Sequence, residues 1–479
     1  MKINRVLLLG LVLVKSVFVA VSQERCVPVG MLCEYLSNPL GIDALHPRLR
    51  WHLDDVRDKA MQKACRVLVS TDSLKLADKN YADCWDTGKR KTETMQFVYN
   101  GKKLLPFTKY FWKVEVWDKD GNKTSSDIAS FETGMLEMHN WRGSWISDGR
   151  DMDYKPAPYF RKEFVVNKSI YSARAYIAVA GLYELYMNGQ KVGNHRLDPM
   201  YTRFDRRNLY VTYDVTKLIQ EGKNAIGVLL GNGWYNHQSI AVWDFHHAPW
   251  RNRPAFCMDL HIMYADGTKD IICTDRDWRT REGGLLFNSI YTGEHYDAQA
   301  ELDGWNLPGY DDSTWRESSY RSVPSTCLTA QQLHPIRSVE TYVARRMTSL
   351  SDSVYVFDFG QNMSGVTSLK VTGEKGTVIR LKHGERLYSN GRVNTSNIDV
   401  YHRPVDDSDP FQTDIIILKG QGEEEFMPKF NYKGFRYVEV ISSHPIKLNE
   451  RSLTAYFVHS DVPLSLIHIS EPTRLALIS

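Results

Sequence analysis

The sequence predicts an all-β protein, and three observations carry that reading. Apolar and polar residues alternate with a period of two along most of the chain, as in "YFWKVEVWDKDG", where side chains alternate from Tyr110 to Trp117. Two-residue turn signals separate such runs: Asp120-Gly121, Asn188-Gly189 and Asp266-Gly267. Aromatic content is 12%, with 12 Trp and 26 Tyr, and rings pack well on pleated surfaces. Beyond the N-terminal leader, no amphipathic pattern persists for three helical turns.

The chain opens with "MKINRVLLLGLVLVKSVFVAVSQ". Lys2 and Arg5 precede an apolar run from Val6 to Val14, and small residues follow at Ala20 and Ser22. This is the pattern of a secretory signal over residues 1–22, with a periplasmic destination expected. Lys15 interrupts the apolar run and argues against a membrane span.

Three β units follow. The first, residues 27–134, has the length of an immunoglobulin- or fibronectin-like sandwich. Within it "TDSLKLADK" predicts a short helix capped by Thr71 or Asp72. The segment from about 132 to 160 loses its periodicity and gains Gly, Pro and Asp, so it reads as a linker. The second unit, residues 145–335, suits a jelly roll. It contains "AYIAVAGLYELYMNGQKVG", read as two apolar strands with an Asn188-Gly189 hairpin, and "DVTKLIQEG", read as a helix capped by Asp214 or Thr216. A second linker is expected at about 323–340. The third unit, residues 340–462, reads as a further jelly roll or β-sandwich.

With 479 residues the chain exceeds one core, and 42% apolar with 24% charged residues is ordinary for globular protein. The net charge of +3 is spread among interspersed acids and bases. No basic block points to nucleic acid or an anionic membrane. Seven scattered cysteines, an odd number, do not form a disulfide framework, and mostly free thiols with at most one bridge are expected. No Cys/His set has zinc spacing. His246-His247 would point to opposite faces of a strand, and no third ligand is evident.

Two clusters could bind a sugar. In "LGNGWYNHQSIAVWDF" glycines around Asn232 force a tight turn that Trp234 and Tyr235 leave together. In "YTGEHYDAQAELDGW" Glu294 and Asp297 stand beside Tyr296 and Trp305, so carboxylates could bond sugar hydroxyls or ligate Ca²⁺ beside stacking rings. A third, "FDFGQNMSGV" with Asp358, Gln361 and Asn362, reads as a structural turn. No spacing singles out a pair of catalytic carboxylates, and nucleophile-elbow, zincin and P-loop patterns are absent.

Taken in order, "NPLGIDALHPRLRWHL", "CWDTGK", "LPFTKYFWKVEVWDKDG", "GLYELYMNGQKVG", "YVTYDVTKLIQEGKNAIGVLLGNGWY", "IYTGEHYDAQAELDGW", "FDFGQNMSGV", "FNYKGFRYVEV" and "LTAYFVHSDVP" resemble the N-terminal half of bacterial α-L-rhamnosidases, glycoside hydrolase family 78. The likeness runs from about Leu32 to Pro463. It implies an immunoglobulin-like domain, a jelly-roll domain that in some members binds L-rhamnose with Ca²⁺, and a β-sandwich that precedes an (α/α)6 barrel. It implies that the whole enzyme removes terminal α-L-rhamnosyl groups with inversion, through Glu residues in that barrel, with no other cofactor. Its partners are then L-rhamnose-containing glycans or glycosides and the barrel itself.

The barrel is missing here, so no catalytic residue carries over. The closing residues 464–479, "LSLIHISEPTRLALIS", resemble translated adapter read-through, and a non-native tail is expected there. Asp205, Asn232, Trp234, Tyr235, Glu294, Tyr296 and Asp297 lie in motif-matching segments of the second unit and are the expected carbohydrate-binding set. The alternative is a stand-alone rhamnose-binding module without hydrolase activity.

Overall fold

The computed structural model describes residues 26–79, 81–399 and 408–462. The leader at 1–22 and the tail at 464–479 lie outside the described residues. The chain divides into two compact units: one takes the residues up to Ser37, Arg48–Lys102 and Phe111–Ala129, the other Asn38–Pro47, Lys103–Tyr110 and Ser130 onward. Both are built of strands, as the alternation predicts.

In the first unit, Val27–Cys33, Arg48–Asp54 and Gln96–Val98 form one sheet. Gln62–Ser70 joins Trp85–Asp86, Arg90–Lys91 and Lys109–Asp118 in a second. Trp51 and Trp112 are fully buried, and the Trp51 indole N–H donates to Gln62 Oε1 at 3.1 Å. The predicted helix spans Ser73–Lys79. Its cap is Asp72, whose carboxylate accepts from the Leu74 and Lys75 amides at 3.0 Å. Thr71 is instead held by Asp83.

The second unit carries two sandwich layers and a large further sheet. A seven-stranded sheet includes Ala255–Tyr264, Ile170–Ala180 and Asn208–Asp214. It faces a six-stranded sheet that includes Leu182–Met187, Gly222–Gly231 and Pro158–Val166. Phe160, Ile177, Val179, Leu185, Val228 and Phe256 belong to one core cluster drawn from both. The run "AYIAVAG" is apolar throughout because Ala175–Ala180 is buried on both faces, with Tyr176, Ala178 and Ala180 in a second cluster. At Gly181 (φ +122°) the chain leaves the first sheet for the second. The Asn188-Gly189 hairpin forms as predicted, pairing Met187 with Gln190.

Three local expectations are corrected. "DVTKLIQEG" makes one turn rather than a helix. The Asn224 side chain takes both the N–H and C=O of Gln220, at 3.0 and 2.7 Å, and Asn188 donates to the Leu218 carbonyl at 2.9 Å, so those groups have no helical partners to seek. Both expected linkers contain sheet. Ile146–Ser147 pairs with two neighbouring strands and Leu328–Ala330 runs parallel to Asn208–Asp214, too short for a visible period. "FDFGQNMSGV" is a bulge, not a turn. It lies inside the strand Val354–Thr372, where register shifts between Asp358 and Met363 and Gly360 adopts φ +81°. All seven cysteines are free.

The further sheet has ten strands, with Thr413–Ile417, Val378–Gly384, Lys433–Ser442, Val354–Thr372 and Leu453–Ser460 at its centre. Two strands from earlier in the chain, Leu285–Ser289 and Gly293–Asp297, complete it. Gly293–Asp297 runs parallel to Thr413–Ile417.

A buried ion pair anchors the middle sandwich. Arg253 donates to Asp148 at 2.7 and 3.1 Å and to the carbonyls of Tyr154 and Pro156, with both side chains out of water. Replacing one partner strands a buried charge. Arg253→Met is expected to lower stability by about 3–5 kcal/mol in urea unfolding. A loss below about 1 kcal/mol would show that the pair is not holding these loops.

Candidate functional site

The strand Gly293–Asp297 builds the polar part of the site. Only glycine fits at 293, since a β-carbon there would lie 2.2 Å from the Thr413 carbonyl oxygen. Glu294 and Tyr296, two residues apart, project to the same side. Together they line a cavity of about 260 Å³ with Glu301, Glu424, Lys419 and Lys429.

Glu294 is 1% exposed. Its carboxylate accepts the amide N–H of Lys429 at 2.9 and 3.0 Å and that of Phe430. Its own N–H donates to Asp414 Oδ1 at 2.9 Å. Burial, and secondarily the Asp414 charge, pushes the Glu294 carboxyl up to about 7, against the pull of the two amides. Asp414 in turn holds Lys433 at 2.8 Å through both oxygens, and Lys433 donates to Asn431 at 2.6 Å. His383, beside this pair and fully buried, is pushed down to about 3 by burial and then by Lys433, so its imidazole is neutral. Burial raises the Tyr296 phenol, which also bonds Glu301.

The seven residues expected from sequence do not converge. Asp297, next on the strand, turns away and caps a short 3-10 turn by accepting from Gln299 N at 2.9 Å. Asp205 is tied to Arg203 at 2.9 and 3.1 Å, and that partner holds its carboxyl below the usual range. Asn232 is buried: its backbone N–H and side-chain amide bond Asn288 at 2.6 and 2.9 Å, and its carbonyl accepts from Asn236. Tyr235 packs its ring 5.1 Å from Phe204 in the core, and burial pushes its phenol up to about 12. These four positions shape the fold. The carboxylates of Glu294, Asp297 and Asp205 are each already engaged by amides or guanidinium. Among the described residues no group of three or more acids, His or Cys could hold a metal ion. The site residues thus do not fit Ca²⁺.

Trp234 belongs to a different place. It lines a cleft of about 480 Å³ with Leu182, Leu197, Tyr201, Ile290 and Tyr432, closed on one side by Val458 and His459. Its ring stands 5.0 Å from Phe245 and 5.2 Å from His237. Between the polar cavity and this cleft runs Arg196, 9% exposed, which donates to the Pro428 carbonyl at 2.6 Å and, among the described residues, has no carboxylate within ion-pair distance. Burial pushes its guanidinium down, and Glu184 and Glu294 offset part of that. Sequence reasoning missed Arg196, Tyr201, Asp414, Tyr432 and Lys433. Tyr432 and Lys433 lie within "FNYKGFRYVEV", but nothing in that stretch marks them as site residues, and strands far apart in sequence bring the five together.

The raised carboxyl of Glu294 has a consequence for stability. With an ordinary value of 4.5 when unfolded and about 7 when folded, the folded state binds more protons between those limits. Its contribution is full below pH 4.5 and is lost as pH rises through 7, about 3 kcal/mol in all. Glu294→Gln is therefore expected to gain on the parent by roughly that amount between pH 4.5 and 7.5 in parallel urea titrations. Taking the difference between the two proteins removes the opposing titration of His383. Parallel curves would show that Glu294 titrates near its ordinary value.

Comparison with known proteins agrees with this architecture. Residues 28–137 match the model for a Rha78A-like N-terminal immunoglobulin domain, 168–340 that for the α-L-rhamnosidase N-terminal domain, and 348–459 that for the bacterial α-L-rhamnosidase concanavalin-like domain. An α-L-rhamnosidase of Formosa agariphila is 33% identical over 85% of this chain and 45% of its own length. One from an Alteromonas species is 33% identical over 90% and 47%. The chain spans about half the length of these relatives. Among solved structures, the α-L-rhamnosidase of Dictyoglumus thermophilum superposes with a TM-score of 0.82 at 37% identity, covering 90% of this chain and 48% of that one. That of Streptomyces avermitilis, complexed with L-rhamnose, gives 0.84 at 25% identity, covering 92% and 58%. Three consecutive domain matches over residues 28–459 establish that the chain belongs to the bacterial α-L-rhamnosidase family, as its N-terminal portion.

Proposed function

We propose that this chain is the non-catalytic N-terminal part of an exported α-L-rhamnosidase. The whole enzyme removes terminal α-L-rhamnosyl groups with inversion, and this part holds carbohydrate near the catalytic barrel. The ordered succession of three rhamnosidase domains over about half the length of the relatives carries this reading. Export rests on the Lys2 and Arg5 leader with its apolar run; among the described residues no helix is long and apolar enough to cross a membrane. The middle domain serves as a jelly roll whose two apposed sheets fix the loops around the site.

The polar cavity is the place for the sugar. Its volume of about 260 Å³ suits one monosaccharide, and Tyr296, Glu301 and Lys429 offer acceptors and donors to hydroxyl groups. Inverting hydrolysis needs two carboxyl groups separated by room for a water, roughly 6.5–9.5 Å. That pair is assigned to the barrel, so this cavity binds and does not cleave.

Two measurements on the full chain test the reading. With p-nitrophenyl α-L-rhamnoside no p-nitrophenol is expected, and turnover would place catalysis within these domains. Calorimetry with L-rhamnose should give a saturable isotherm, the same with and without Ca²⁺. Glu301→Ala should weaken it about tenfold or more, the effect of losing a charged hydrogen bond. Absence of heat would reduce these domains to a scaffold.

A further inference from the structure

We propose that the cleft around Trp234 binds a flat apolar ring system, the kind an aryl glycoside presents as its aglycone, and not a sugar. The proposed rhamnosidase reading supplies the source of such a ring. The cleft itself is argued from its own chemistry.

Its volume of about 480 Å³ falls in the range of small-ligand sites. Three rings, Tyr201, Trp234 and Tyr432, meet aliphatic side chains from Leu182, Ile290, Leu333 and Ile336. Few polar groups are free to serve a ligand. The Ser364 hydroxyl donates to the Val458 carbonyl at 2.8 Å, and His459 Nδ1 lies 2.6 Å from the Ser460 carbonyl. A pyranose would bring several hydroxyls into this surface and leave them without partners, which burial penalises. A planar ring with one or two polar substituents avoids that loss and can stack against the walls. At the mouth, Tyr201 and Tyr432 are about half exposed, so their hydroxyls can meet such substituents.

The segment from Lys429 to Tyr432 joins this cleft to the polar cavity, because Lys429 lines one and Tyr432 the other. Sugar and ring are thereby assigned to neighbouring, chemically opposite pockets.

The test uses the full chain and 2-naphthol as the ring probe, followed by titration calorimetry. Saturable binding is expected, weakened about tenfold or more by Tyr432→Ala and by Leu333→Glu. Both replaced side chains are about half exposed, so folding is not at stake. Trp243→Ala, outside the cleft, should bind as the parent does, and excess L-rhamnose should not compete. Competition by L-rhamnose would make the cleft a sugar site and overturn the proposal. So would binding that ignores Tyr432 and Leu333. Self-association abolished by Tyr432→Ala, with no naphthol binding, would make the cleft a face between copies and also overturn it. The rhamnosidase reading is judged separately, by turnover and L-rhamnose calorimetry, and can fail while this site stands.

Discussion

Lys433 and Asp414 meet at 2.8 Å with both charges shut away from water, and much of the second unit is arranged around that contact. Neither charge could be buried alone, because desolvation of an isolated ion costs several kcal/mol. Asp414 spends its remaining capacity on Asn431 and on the backbone N–H of Glu294. Glu294 then grips the Lys429 and Phe430 amides. Phe430 in turn presses on Gly231, where a β-carbon would sit 2.4 Å from its ring, and clusters with Leu182, Leu229 and Trp305 of the middle sandwich. A chain of contacts therefore runs from the centre of the ten-stranded sheet to the core of the neighbouring sandwich.

Two pockets border that seam. The polar cavity lies on one side of the segment 427–432 and the apolar cleft on the other. The cleft draws on both layers, Trp234 with Tyr432, while the cavity sets Glu294 of the ten-stranded sheet beside Lys429. Rigid strands position these groups, while the segment between the pockets is held by backbone hydrogen bonds to a single carboxylate.

Much of the fold was legible because its signals are local. Alternation marked the strands, and Asn188-Gly189, Asp120-Gly121 and Asp266-Gly267 marked hairpins that formed. Failures came where tertiary partners outvoted local pattern. Asn224 and Asn188 consumed the carbonyls that a helix at "DVTKLIQEG" would have used, and Ile146–Ser147 is a strand only because two neighbours flank it. The site was legible in part. Glu294, Tyr296 and Trp234 do line pockets, since carboxylates and rings in turn-rich segments are a fair guide to them. Asn232 and Tyr235 share that signature yet are consumed by packing, and burial is invisible in a string of letters. The pairing of Lys433 with Asp414 could not be read, because it depends on strands meeting across the sheet.

The claim that bears most weight is that the two layers are one cooperative body joined through Glu294. Native-state hydrogen exchange at the Lys429 and Phe430 amides, followed against denaturant, tests it most directly. The account predicts that these two amides open only with the global transition, together with those of Ile177 and Val179 in the middle core. Exchange at a lower free energy, independent of that core, would contradict it and leave two domains that merely touch.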